Sequence, residues 1–195
     1  MNPILKVALP SFLTALALMA TAQSAKHVMP SSRPESTVRS LYREVQLRAP
    51  SGLLGDKDMR IFAPYLSESL RRKIRLAEAC GEDWNRQNHG QIIKAPFAWS
   101  EFGIFSGANE RTSPATFHIE SIHQAKDGAF QVVVGFTYRP EDGPGSWSVT
   151  DHVIQENGRF VLDDVFFPKD DSGESSTLTD ILSEGCEGPR WVGLH

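Results

Sequence analysis

The sequence is poor in cysteine, in charge at its start and in recognisable catalytic motifs. Only two cysteines occur in 195 residues, Cys80 and Cys186. Neither sits in a C-x-x-C or C-x-x-H spacing, which argues against a zinc ribbon, an iron–sulfur site or a thiol–disulfide oxidoreductase. No G-x-S-x-G, H-E-x-x-H or phosphate-cradling glycine loop is present, so the familiar serine-hydrolase, zinc-protease and P-loop chemistries lack their sequence support. No internal repeat and no low-complexity tract occurs. Basic residues do not dominate: 20 Lys and Arg stand against 24 Asp and Glu, a formal net charge of −4. Such a balance supplies no electrostatic reason to hold nucleic acid or an anionic membrane. The one basic cluster, Arg71, Arg72, Lys73 and Arg75, reads as the solvated face of a helix.

Charge is scarcest at the N-terminus. Lys6 is the only charged residue before Lys26, and Val7 to Ala22 is almost wholly apolar, ending in Ala20-Thr21-Ala22. A positive start, a short apolar run and an A-x-A ending form the pattern of a cleavable signal peptide. The run carries Pro10 and is shorter than the roughly 20 residues that span a bilayer. Cleavage is expected after Ala22; Ala25 is the other candidate and would put the larger Gln23 three residues before the cut. The reading is therefore residues 1–22 signal peptide, 23–33 a polar lead-in, 34–185 one domain and 186–195 a C-terminal tail. The expected destination is the periplasm or the exterior, with no membrane attachment after cleavage. In an oxidising compartment an even pair of cysteines is expected to form a disulfide, Cys80 to Cys186.

Within the domain the periodicity changes once. Val38, Leu41, Tyr42 and Val45 recur at helical spacing after Pro34, and Pro50 stops that helix. Residues 58–65 are ambiguous because Pro64 interrupts a helical pattern. Ser67 is a good N-cap for a helix carrying Leu70, Ile74 and Ala77 on one face, with Gly81 as its expected end and Cys80 in its last turn. Residues 82–114 then read as a long connection holding Trp84, Phe97, Trp99, Phe102 and Phe105. Aromatics there are expected to cap the core, and a connection of this length is also a candidate binding element.

From residue 115 the period becomes two. Phe117, Ile119 and Ser121 alternate with His118, Glu120 and Ile122. Asp127-Gly128 marks a turn, and residues 129–139 place Phe130, Val132, Val134, Phe136 and Tyr138 on one face. Residues 146–156 group Trp147, Val149, Asp151 and Val153. Asn157-Gly158 is a strong hairpin signal before a last strand at 159–167. Residues 175–184 are expected to add a short helix. Helices before strands define an α+β class: N-terminal helices packed on a strongly curved four-stranded antiparallel sheet.

Three local stretches sharpen this. They are Thr37-Val-Arg-Ser-Leu-Tyr42, Phe105-Ser-Gly-Ala-Asn-Glu110 with the later Phe117, and Trp147-Ser-Val-Thr-Asp151 through Asn157-Gly-Arg-Phe160 to Val161-Leu-Asp-Asp-Val165. Together they resemble an uncharacterised, secreted bacterial branch of the nuclear transport factor 2-like superfamily, across about residues 35–185. The resemblance implies a cone-shaped fold with a pocket between the concave sheet face and the helices. It also implies that a homodimer through the sheets is available. The Cys186-Glu-Gly-Pro-Arg-Trp-Val192 tail stands outside the shared pattern.

Enzymes of that fold class use an Asp or His on a strand as general base, with Tyr or Asp as oxyanion donor. The candidates here are Asp151 and His118, with His152, Tyr138 and the Asp163–Asp164 pair beside them. Asp151 is expected to be buried beside Trp147, Val149 and Val153. Desolvation would raise its pKa unless a base such as Arg139 pairs with it, and the ion pair is the favoured expectation. Asp163 and Asp164 point to opposite faces of a regular strand and cannot form a close dyad. His118 and His123 are likewise expected on opposite faces, a poor metal pair. No metal site and no cofactor are expected. The favoured function is a non-catalytic exported binding module for a small ligand, a peptide or a partner protein, including an inhibitor or immunity role. It would use Trp99, Phe102, Tyr138, Trp147 and Asp151. The competing function is a small isomerase or dehydratase with Asp151 or His118 as base.

Overall fold

A computed structural model describes residues 33–100, 103–108, 114–138, 145–168 and 175–194. The signal-peptide assignment, Phe102 and Arg139 lie outside the described residues. Helix α1 spans Pro34–Arg48, with Pro34 at the position where a missing N–H costs nothing. Its buried face is Thr37, Val38, Leu41, Tyr42 and Val45, as the spacing requires. The ambiguous stretch resolves into α2, Asp56–Phe62, continued by a 3-10 turn at Ala63–Tyr65 that accommodates Pro64. Helix α3 begins at Glu68 with Ser67 as N-cap, its hydroxyl accepting from Leu70 N.

Helix α3 runs on to Gln87, past Gly81. The expected stop at Gly81 is therefore corrected, and Cys80 lies within the helix. Gly81 serves packing instead: a Cβ there would come 3.2 Å from the Trp99 ring, which lies against the helix at that point. The extra turn buries Trp84 and extends the face begun by Leu70, Ile74 and Ala77.

The second half forms a four-stranded antiparallel sheet in the order β1-β2-β3-β4, with β1 Thr116–Gln124, β2 Phe130–Thr137, β3 Ser146–Glu156 and β4 Arg159–Phe166. The class is α+β. Asn157 and Gly158 both take positive φ, 52° and 74°, at the β3–β4 hairpin. Such a turn matches the twist of the flanking strands. Two bulges interrupt the ladders, between Ile119 and Ser121 on β1 and beside His152 and Val153 on the β3–β4 pair. The first overturns the expected alternation. Phe117 and Ile119 face Phe136 and Val134, but after the extra residue Ser121 pairs with Val133 and Ile122 with Val132. Ser121 thus turns to the outer face, and Ile122 turns to the inner side of the strand while staying 38% exposed at the sheet edge. His118 and His123 consequently share the outer face, contrary to the regular-strand expectation.

Helix α1 crosses the inner face and touches all four strands. Between them lies the core of Val38, Leu41, Tyr42, Leu54, Phe62, Leu66, Val132, Val134, Phe136, Val149, Val153 and Val165, with Ile104 and Phe105 filling it from the connection. Helix α4, Leu178–Ser183, follows a Thr177–Asp180 capping box. A small hairpin of β5, Cys186–Glu187, and β6, Arg190–Trp191, closes the chain. The Cys80–Cys186 disulfide ties this hairpin to α3, with Cα atoms 6.1 Å apart. Trp191 N–H donates to Asp83 Oδ2 at 3.0 Å. That bond, ahead of those from Gln87 and Arg86, holds the partly buried Asp83 carboxyl below the usual range. Among the described residues no helix is long and apolar enough to cross a membrane.

Candidate functional site

Strands β2 and β3 project one aromatic ladder from the inner face. Strict alternation puts Phe136 and, beyond the strand end, Tyr138 beside Trp147 of β3. Trp147 stacks on Phe136 at 5.3 Å and packs tilted, at 34°, against Tyr138 at 4.5 Å between ring centres. Phe136 meets the Tyr42 ring edge-on at 5.1 Å. Tyr138 and Trp147 are only partly buried, so the ladder runs from solvent inward. The Trp147 indole N–H donates to the carbonyl of Ser106 at 2.6 Å.

Four residues along β3, on the same face, lies Asp151. It is fully buried, as expected. Its cross-strand partners are Val132 on β2 and Val165 on β4. Among the described residues no base pairs with Asp151: its strand neighbours are valines, and the hydrogen bond it receives comes from α1; the expected partner Arg139 lies outside the described residues. Tyr42 Oη lies 2.8 Å from Asp151 Oδ1 and 3.0 Å from the carbonyl oxygen of Phe105. Asp151 Oδ2 has no partner. Burial pushes the Asp151 carboxyl up to about 8, and the Tyr42 hydroxyl offsets only part of that rise. Burial likewise raises Tyr42 well above the ordinary phenol value, with the neighbouring carboxyl adding to it.

His118 stands elsewhere. It pairs with Gly135 on the outer face of the sheet, and its side chain is 63% exposed. Its Nε2 is 3.6 Å from Glu120 Oε1, which also accepts from Ser148 Oγ at 2.9 Å. Both side chains lean over Gly135, where a Cβ would fall 2.6 Å from the imidazole, so a larger residue there would displace them. Asp151 and His118 therefore sit on opposite faces and cannot serve one reaction centre.

Asp163 and Asp164 are both committed to helix starts. Asp163 accepts from Ser67 Oγ at 2.6 Å, and Asp164 accepts from Thr179 N and Oγ1 at 3.1 and 2.6 Å. His152 Nδ1 lies 3.8 Å from Asp163 Oδ2. No protein-family model, no curated protein and no solved structure matches this chain. Its function must be read from its own geometry.

Trp99, in a 3-10 turn at Ala98–Ser100, bridges the main core, against which Trp147 also packs, and a second cluster of Cys80, Trp84 and Phe97. It stacks on Phe97 at 4.5 Å and 13°, and Phe97 meets Trp84 and Trp191 edge-on. Its indole nitrogen is buried without an acceptor. These rings join the disulfide-bonded hairpin to the core, the capping role that aromatics in a long connection were expected to play.

An open groove of about 260 Å³ runs between α3, α4 and the β5–β6 hairpin, lined by Lys73, Leu76, Thr179, Asp180, Leu182 and Cys186 among others. None of the sequence candidates lines it. Among the described residues no group of three His, Cys, Asp or Glu side chains could hold a metal ion.

Two features were not anticipated from the sequence. Tyr42 read as one more core residue of an amphipathic helix, although a buried tyrosine hydroxyl generally finds a partner. The carbonyls of Phe105 and Ser106 carry no sequence signature at all.

Proposed function

We propose that this chain is an exported, non-catalytic binding module with a nuclear transport factor 2-like cone, whose ligand contacts the outer end of the Tyr138–Trp147 ladder. The observation that carries this is the partial exposure of two rings, packed 4.5 Å apart, at the end of a ladder that leads in to the fully buried Phe136 and Tyr42. Offset aromatic faces suit a flat apolar ligand or an aromatic or proline side chain of a peptide. Export is supported by the N-terminal sequence pattern and agrees with the Cys80–Cys186 disulfide. The cone is supported by the order of elements and by α1 lying across all four strands.

The enzyme alternative, an isomerase or dehydratase with Asp151 or His118 as base, has one observation in its favour: Asp151 touches Tyr42. A general base must also reach substrate. Asp151 is sealed, and His118 faces solvent on the opposite side of the sheet with only Glu120 and Ser148 for company.

The test is a fragment titration followed by two-dimensional NMR, using a library of flat aromatic and prolyl fragments. Saturable shifts at the Trp147 indole and at Tyr138, weakened by Tyr138→Ala, support the proposal. Shifts confined to the α3–α4 groove, or chemical conversion of a fragment, contradict it.

A further inference from the structure

The segment 103–108 is a closed turn. Gly103 N donates to Ala108 O at 2.6 Å, and Ser106 N and Gly107 N donate back to Gly103 O at 3.1 and 2.8 Å. It drives Ile104 and Phe105 fully into the core, with the Phe105 ring 5.3 Å from Phe62. Two consecutive carbonyls of this turn are held by side chains from different elements: Phe105 O by Tyr42 of α1 and Ser106 O by Trp147 of β3. The turn thereby covers the inner face beside Asp151.

Counting protons decides how Tyr42 is used. A phenol has one hydrogen to give, yet Tyr42 Oη stands at hydrogen-bonding distance from two oxygens. If Asp151 is ionised, Tyr42 must donate to it, and the buried carbonyl of Phe105 loses its donor. If Asp151 is protonated, its own O–H donates to Tyr42 Oη, and the Tyr42 O–H is free to donate to Phe105 O. Only the second arrangement gives each close contact its own proton. It also leaves the bare Oδ2 as a neutral carbonyl-type oxygen rather than half of an uncompensated carboxylate.

We propose that segment 103–108 is a plug over the inner face of the sheet, held shut by the proton on Asp151 through Tyr42. On opening, the Tyr42–Phe105 and Trp147–Ser106 hydrogen bonds break, Asp151 meets water, releases its proton to it and becomes a carboxylate; no other group named here changes its protonation. Among the described residues, the groups around Asp151 are Tyr42 from α1, its cross-strand neighbours Val132 from β2 and Val165 from β4, and Val149 and Val153 on the same face of β3; the turn reaches it through Tyr42, which also bonds Phe105 O. Of these only Tyr42 titrates, and no cation among the described residues bonds to Asp151. Among the described residues, the gate therefore responds to one proton.

The plug's dependence on pH follows from linkage. An acid whose pKa is raised in the closed form favours closure fully below its open-form value, about 4. That preference is lost progressively as pH climbs towards the closed-form value of about 8, and nothing further is lost above it.

The experiment is amide hydrogen exchange on the folded protein and on Asp151→Asn, which is uncharged at every pH. For the Ser106 and Gly107 amides, the ratio of wild-type to variant opening constants should rise about tenfold per pH unit between about 4 and about 8, then level off. The same amides should open more readily than those of β2 and β3. A ratio independent of pH, or plug and strand amides opening with one common free energy, overturns the proposal. Should Asp151→Asn not fold, the wild-type protein suffices: opening constants for Ser106 and Gly107 that stay flat between about pH 5 and about pH 8 overturn it equally.

Discussion

Tyr42 and Asp151, 109 residues apart in the chain, meet at 2.8 Å in the interior of the domain. They join α1 to the middle of the sheet through the one buried acid among the described residues. Removing only the hydroxyl, by Tyr42→Phe, leaves Asp151 Oδ1 and the Phe105 carbonyl without their partner. The expected loss is about 1–3 kcal/mol of stability in a urea titration, whereas Tyr138→Phe, at the partly exposed end of the ladder, is expected near neutral. Equal effects of the two would remove Tyr42 from its assigned place.

Global stability should carry the same proton signature. The folded pKa of Asp151 is raised, so its stabilising contribution is complete below about pH 4 and is lost between there and about pH 8. The loss is at most about 1.4 kcal/mol per pH unit within that window. Other groups titrate too, so the quantity to measure is the difference between the wild type and Asp151→Asn in urea midpoint at pH 5, 7 and 9. The wild type should lose ground on the variant from the first pH to the second, with little further change once past pH 8.

Much of the fold was legible because two periods dominate. Val38, Leu41, Tyr42 and Val45 mark a helix, and Val132, Val134 and Phe136 mark a half-buried strand without ambiguity. Asn157-Gly158 and the Cys80–Cys186 pair declared themselves through turn geometry and cysteine parity. The failures have physical causes. Gly81 looked like a helix stop because a packing requirement from the distant Trp99 has no local trace. Ser121 and His123 were assigned to the wrong faces because a bulge inserts one residue without changing composition. At the site, the burial of Asp151 was readable from its neighbours on β3. Its partner was not, since a tyrosine on an apolar helix face looks the same whether or not its hydroxyl is used.

The register of β2 makes a paired prediction. Val134 is fully buried, and Gln131 faces solvent. Val134→Asp places an unpaired carboxylate in the core and should unfold the domain, while Gln131→Asp should shift the melting temperature little. Similar melting temperatures would contradict the strand assignment.

The disulfide closes a loop across a sequence separation of 106 residues. Replacing both cysteines by serine should cost roughly 2–5 kcal/mol. It should also loosen the β5–β6 hairpin, seen as a more exposed Trp191 by fluorescence quenching, because the Phe97 ring contact and the Asp83 and Gln87 hydrogen bonds would then be left to hold Trp191. Peptide mapping without reductant should recover a linked Cys80–Cys186 peptide; two alkylatable thiols in exported material would contradict the compartment assignment.

The most direct measurement is a carbon-13 NMR titration of the wild-type protein labelled at aspartate carboxyls, with Asp151 assigned by its absence in Asp151→Asn. Asp151 should remain protonated at pH 6 and titrate at about 8. An Asp151 resonance already ionised at pH 6, with an ordinary midpoint near 4, would contradict both the neutral hydrogen-bond relay through Tyr42 and the gate built on it.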